Sequence, residues 1–225
     1  MATEMLDAFA AIGAEVEVVR LGGAFEIDIT RSKNRERFKL TLPSFRTVET
    51  EVLDIRPKLR HLVLDVWSPD SPVEGRYLCG HDERHWFTAM VPNVGTSTVK
   101  SAMESLKPLE VRRAQKKAGV KHRKHRRKTA AYVRQGEWFF LPRPMMHVGE
   151  KAEAKGQLVR AAGGKPHRVD WIYRPPGTNE TFVRGAVRHA DHATIYLQVW
   201  HRVVQNTEAQ PTPEAEPVTR MAYFD

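Results

Sequence analysis

The sequence predicts an α+β protein, because antiparallel hairpin signals occupy both ends of the chain while a helical period and a dense cationic run occupy its middle. Near the start, Leu6 to Ala14 has the composition of a short helix that stops at Gly13. Glu15 to Arg20 alternates polar and apolar residues, and Gly22-Gly23 punctuates it. Phe25 to Ile29 then pairs with Arg37 to Leu42 across a polar turn, Val52 to Ile55 with His61 to Trp67, and Arg76 to Gly80 with Trp86 to Pro92. A mostly antiparallel sheet with a helix on one face is expected.

After Pro92 the period changes. Val99, Ala102, Met103 and Leu106 fall at i, i+3, i+4 and i+7 behind a Thr/Ser cluster suited to N-capping. Pro108 opens a second helix over Leu109 to Ala118, and Gly119 stops it. The Lys107-Pro108 joint lacks the three- or four-residue turn of a helix-turn-helix. Glu137 to Pro142 reads as a strand, and a weak helix is expected around Glu150 to Ala161. Three further strands lie in HRVDWIYR, TFVRGAV and ATIYLQVWHRVV, the last two joined by the turn RHADH. The organisation expected is an N-terminal α+β unit over 1–107, a basic helical connector over 108–136, a C-terminal β-rich unit over 137–207, and a flexible acidic, Pro-rich tail over 208–225.

Composition narrows the class. The 225 residues include a single cysteine, Cys79, so no intramolecular disulfide forms and no oxidising compartment is required. No secretory leader and no uncharged apolar run long enough to span a bilayer is present, so a cytoplasmic, non-membrane protein is expected. No P-loop, dinucleotide fingerprint, nucleophile elbow or paired-carboxylate pattern occurs, and no cofactor is expected.

The charge is local. Residues 1–111 carry a net −3, residues 112–136 a net +11 with no acidic residue, and residues 137–225 a net +1. Arg112, Arg113, Lys116 and Lys117 share one stripe of the second helix, followed by Lys121, Arg123, Lys124, Arg126, Arg127, Lys128 and, further on, Arg134. A run without acids cannot neutralise itself by i,i+4 pairs, and each cation set against a phosphate releases condensed counterions. A nucleic-acid partner is the expectation. Arginine outnumbers lysine by 23 to 13 and can grip phosphate bidentately or stack on a base, which suits structured or single-stranded RNA as much as duplex DNA, and RNA is slightly favoured. Trp138 follows the run on a strand and is the expected stacking platform. The run lacks the apolar face of a membrane-surface helix.

Two rival functions come from other residues. His189, His192 and His201 form a candidate catalytic group, in which two imidazoles act as base and acid for RNA cleavage, with Arg184, Arg188 or Arg202 stabilising the charge on phosphorus. Met221 to Asp225, an aromatic terminus after a flexible spacer, suits a protein-interaction adaptor. The grouping of Cys79, His81 and His85 has spacing for helical metal ligation but lies in a hairpin, so a charged turn is expected there rather than a metal site.

Overall fold

In the computed structural model the described residues are 2–32, 35–45, 47–69, 71–82, 84–121, 127–159 and 165–208. They form two compact units, one over residues 1–106 and one over 107–207. The fold class is a sheet-rich α+β arrangement built mainly from antiparallel strands.

The first unit begins with helix α1 (Ala2–Ala11), which closes as expected: Gly13 takes a φ of +81° and the Ala14 amide donates to the Phe9 carbonyl. Strands β1 (Glu15–Leu21), β2 (Glu26–Ser32) and β3 (Arg35–Pro43) make a sheet of order β1-β3-β2. The β2–β3 hairpin is the expected one, with Ile29 opposite Phe38. Strand β1 is parallel to β3, so after Gly22-Gly23 the chain reverses direction but lands on the opposite edge of the sheet, leaving a place between β1 and β2 that β3 fills. Strands β4 (Glu49–Arg56), β5 (His61–Ser68), β6 (Ser71–Asp82) and β7 (His85–Val91) form an antiparallel meander in chain order, and helix α2 (Val99–Ser105) follows. A Thr98–Ser101 capping box starts that helix.

The continuous apolar run of β5 has a simple cause. Leu62, Leu64 and Val66 point to a core with Met5, Phe9 and Ile12 of α1, Phe38 and Trp86, while Val63 points to a second core with Leu78, Phe87, Val99, Ala102 and Leu106. Successive side chains of a strand face opposite ways, so the stretch Leu62–Leu64, covered on both faces, has no polar position, and the run ends at half-buried Asp65, which pairs with Arg76. Cys79 sits in the first of these cores with 0% exposure, and burial pushes its thiol up to about 12, against a weaker pull from the Thr88 hydroxyl. It is a packing residue.

The second unit holds helix α3 (Leu109–Lys117) and strands β8 (Val133–Gln135), β9 (Trp138–Pro142), β10 (Glu153–Leu158), β11 (His167–Tyr173), β12 (Phe182–Arg188) and β13 (Ile195–Gln205). Six strands pair antiparallel in the order β10-β11-β12-β13-β9-β8. The weak helix expected around Glu150 to Ala161 is a strand, apart from one 3-10 turn at Gly149–Lys151. Pairing with β11 outweighs the modest helix propensity of Ala, Glu and Lys, and it needs Gly156, where a Cβ would meet Ile172 Cγ2 at 2.2 Å. Where the basic segment is described, it is not a separate connector: Val111, Ala131 and Tyr132 share a core with Phe139 and Leu141.

Glu36 ties the two sheets of the first unit together. Its Oε1 accepts from His85 Nδ1 at 2.7 Å and from Arg31 Nε, and its Oε2 from the Trp86 amide at 3.0 Å. Burial alone would raise this carboxyl, but the bonds from Trp86, His85 and Arg31 hold it below its ordinary 4.5. A depressed carboxyl stabilises the fold above its unfolded pKa, and that stability is lost as pH falls through the folded value. Glu36→Gln should therefore cost about 2 kcal/mol at neutral pH. Urea unfolding should show that difference shrinking below pH 4, whereas a difference constant with pH would contradict the assignment.

Candidate functional site: a cationic helix and a histidine cluster

Helix α3 is anchored by its apolar side. Val111 and Gln115 are buried and Ala114 half-buried against Tyr132, Phe139 and Leu141. At 3.6 residues per turn, this leaves Arg112 with Lys116, and Arg113 with Lys117, on the solvent side, and all four are exposed. Lys116 and Lys117 also lie in the last turn, where the helix dipole favours cations. Gly119, at a φ of +61°, ends the helix, the Val120 amide donates to the Gln115 carbonyl, and Lys121 is exposed beyond it.

The helix has a single carboxylate, Glu110, and it is committed elsewhere: Arg202 Nη2 of β13 donates to Glu110 Oε1 at 3.1 Å, and Arg202 Nε lies 3.2 Å from Glu180 Oε1. Among the described residues, no ion pair joins Arg112, Arg113, Lys116, Lys117, Lys121 or Lys128 to a carboxylate. Arg127 is half-buried. Arg123, Lys124 and Arg126, with His122 and His125, lie outside the described residues, as do Met221 to Asp225.

Two residues expected on this surface belong to the interior. Arg134 is 3% exposed and donates from Nη1 to the Gly136 carbonyl at 3.0 Å. Trp138 and Phe140 are core residues with Val169, Ile172 and Val183, so Trp138 offers no open face to a base. The strand expected over Glu137 to Pro142 is present, but it is covered on both faces. Among the described residues of the second unit the exposed aromatics are Trp171 and Tyr196, and Trp171 sits directly opposite exposed Arg184 across the β11–β12 ladder.

The expected histidine trio is also regrouped. His201 lies opposite Val183, six residues back along β12 from His189, which at about 3.3 Å per residue is roughly 20 Å of strand. Its Nδ1 meets the Val199 carbonyl at 2.8 Å, and burial lowers its pKa against a smaller opposing effect of that carbonyl. In its place stands His167 at the start of β11, brought beside the RHADH turn because Arg168 pairs with Arg188. The rings of His167 and His189 stack with centroids 4.2 Å apart, those of His189 and His192 at 4.4 Å, and those of His167 and His192 at 5.7 Å. One ring nitrogen from each of the three lies within 4.8 Å of the others.

The surroundings fix these rings unequally. His189 Nε2 faces the Lys165 carbonyl at 3.2 Å, and its Nδ1 accepts from the Asp191 amide at 3.2 Å, which sets the Nε2–H tautomer. Lys165 Nζ is neutralised by both oxygens of Asp191 at 2.8 and 2.9 Å. His167 is 1% exposed, and neither of its ring nitrogens has a hydrogen-bond partner among the described residues. A buried polar group left so costs about 1–3 kcal/mol. Burial, followed by the neighbouring His189 and His192, drives its pKa down to about 3, so it is neutral with a lone pair to offer. Burial also lowers His189, although Asp191 and the Lys165 carbonyl oppose it. The Trp138 ring closes one side, its centroid 6.5 Å from that of His167, and Gln135 Nε2 donates to the Ala193 carbonyl at 2.6 Å.

No family model, curated protein or solved structure matches the chain.

The contrast between surface and interior cations is measurable by denaturant unfolding. Arg134→Ala should destabilise the second unit by about 2 kcal/mol, whereas Arg112→Gln with Lys116→Gln should stay within about 0.5 kcal/mol of the parent. Equal losses in the two variants would place Arg134 on the surface or the helix cations in the scaffold.

Proposed function

We propose that the protein binds nucleic acid, RNA in preference to DNA, through the cationic side of α3 and the basic residues that follow it. The observation that carries this reading is the exposed set Arg112, Arg113, Lys116, Lys117 and Lys121, with the helix's one carboxylate engaged by Arg202. A helix held by Val111 and Ala114 presents these charges on a rigid ridge, so little side-chain ordering beyond the cations themselves opposes binding. Four of the five project from two successive helical turns, a density that suits a phosphate backbone. Exposed Trp171 beside Arg184 gives the same unit an aromatic face and a guanidinium plane suited to unpaired bases, which is why RNA is preferred here. The described helices include none long and apolar enough to cross a membrane.

Titrating labelled single-stranded RNA and duplex DNA against the protein between 50 and 200 mM salt tests the reading. Engagement of about five phosphates gives a log–log slope of roughly −3.5 on the single strand and −4.5 on the duplex. Changing Arg112, Arg113, Lys116 and Lys117 together to Gln should flatten the slope by roughly 3 while the circular dichroism spectrum is unchanged. A parent slope near zero, or an unchanged slope in the variant, would overturn the assignment.

A further inference from the structure

We propose that His167, His189 and His192 form a binding site for a dication of the zinc class, held by three imidazole nitrogens with one coordination position left open. The arrangement is independent of the cationic helix. It draws on two elements far apart in sequence: β11 supplies His167, and the turn between β12 and β13 supplies the other two. The register Arg168 to Arg188 fixes their meeting, so the cluster is a product of sheet pairing rather than of chance surface proximity.

Four features point to a metal. The donor set is wholly imidazole, which suits zinc, copper, nickel or iron and not the oxygen-seeking magnesium or calcium. His167 is 1% exposed with both ring nitrogens unpartnered among the described residues, and a metal bond would satisfy one of them. His189 is oriented by its Nε2 contact with the Lys165 carbonyl, the outer contact that ligating histidines ordinarily make, leaving Nδ1 as its ligand atom. The Asp191 carboxylate neutralises the nearby Lys165 ammonium, which would otherwise repel a dication.

Geometry sets what must change on binding. Zinc–nitrogen bonds of about 2.0–2.1 Å put the ligands of a tetrahedral ion about 3.4 Å apart. The three nitrogens now lie within 4.8 Å, so side-chain rotations of about an ångström close the site. The Asp191 amide must release His189 Nδ1, a long contact of 3.2 Å, and the stacked rings must splay. Three protein nitrogens and a vacant fourth position are the pattern of a site that takes a water or a substrate atom.

The test uses the full chain without an affinity tag, stripped of metal and titrated with Zn²⁺ and Co²⁺. The parent should bind one equivalent at the cluster, give the visible absorption of four-coordinate Co²⁺, and shift three histidine ring signals in NMR spectra on Zn²⁺ addition. His192→Gln and His189→Gln should each weaken binding at least tenfold, in line with loss of a ligand. His201→Gln, and His122→Gln combined with His125→Gln, should leave it intact. Should the ligand variants fail to fold by circular dichroism, the NMR signals of the parent decide, because metal contact must appear at His167, His189 and His192. Absence of binding to the parent, binding lost with His122 and His125, or undiminished binding in the ligand variants would overturn the proposal. None of these results depends on nucleic-acid affinity.

Discussion

Strand β9 is buried on both faces, and the second unit is organised around that fact. Trp138 and Phe140 enter the core that Val169, Ile172, Val183 and Val187 build on one face of the sheet. Phe139 and Leu141 enter the core beneath α3, with Val111 and Tyr132. One five-residue strand therefore fixes the helix on one side and borders the histidine cluster on the other, through the Trp138 ring beside His167. Aromatic residues suit this position because each buries a large apolar area against a different layer.

The consequence is a division of labour among charged residues that sequence position does not reveal. Arg112 and Arg134 belong to the same acid-free segment, yet one is on the open side of a helix and the other is 3% exposed beside Gly136. Glu110 and Arg202, distant in sequence, find each other across α3 and β13. That pairing removes the only carboxylate on the helix from the neighbourhood of its cations. A ridge of positive potential results from where one acid is sent, as well as from how many bases are present.

The histidines illustrate the same point from the interior. RHADH was legible as a polar turn between two strands, and the turn is there. His201 was grouped with it because both lie in the same stretch of sequence. Antiparallel pairing carries His201 toward the other end of β12 and brings in His167 from β11, which sequence reading had placed on a strand without a role. The clue was available in part: once HRVDWIYR and TFVRGAVRH are paired as a hairpin, the histidines that begin one strand and follow the other must be neighbours. Choosing the register was the missing step, since a slip of one residue sends a side chain to the opposite face.

By itself the sequence determined the α+β class, the helix stop at Gly13, the β2–β3 hairpin, the capped helix α2 and the concentration of charge in 112–136. All of these rest on interactions between near neighbours along the chain. Only the tertiary structure decided that β1 runs parallel to β3, that residues 153–158 form a strand, that Trp138 and Arg134 are interior, and that His167 replaces His201. The physical reason is common to them. Local propensity and periodicity state which face of an element is apolar, but burial of a second face, strand register and the pairing of distant charges are fixed only when elements far apart in sequence compete for the same partners.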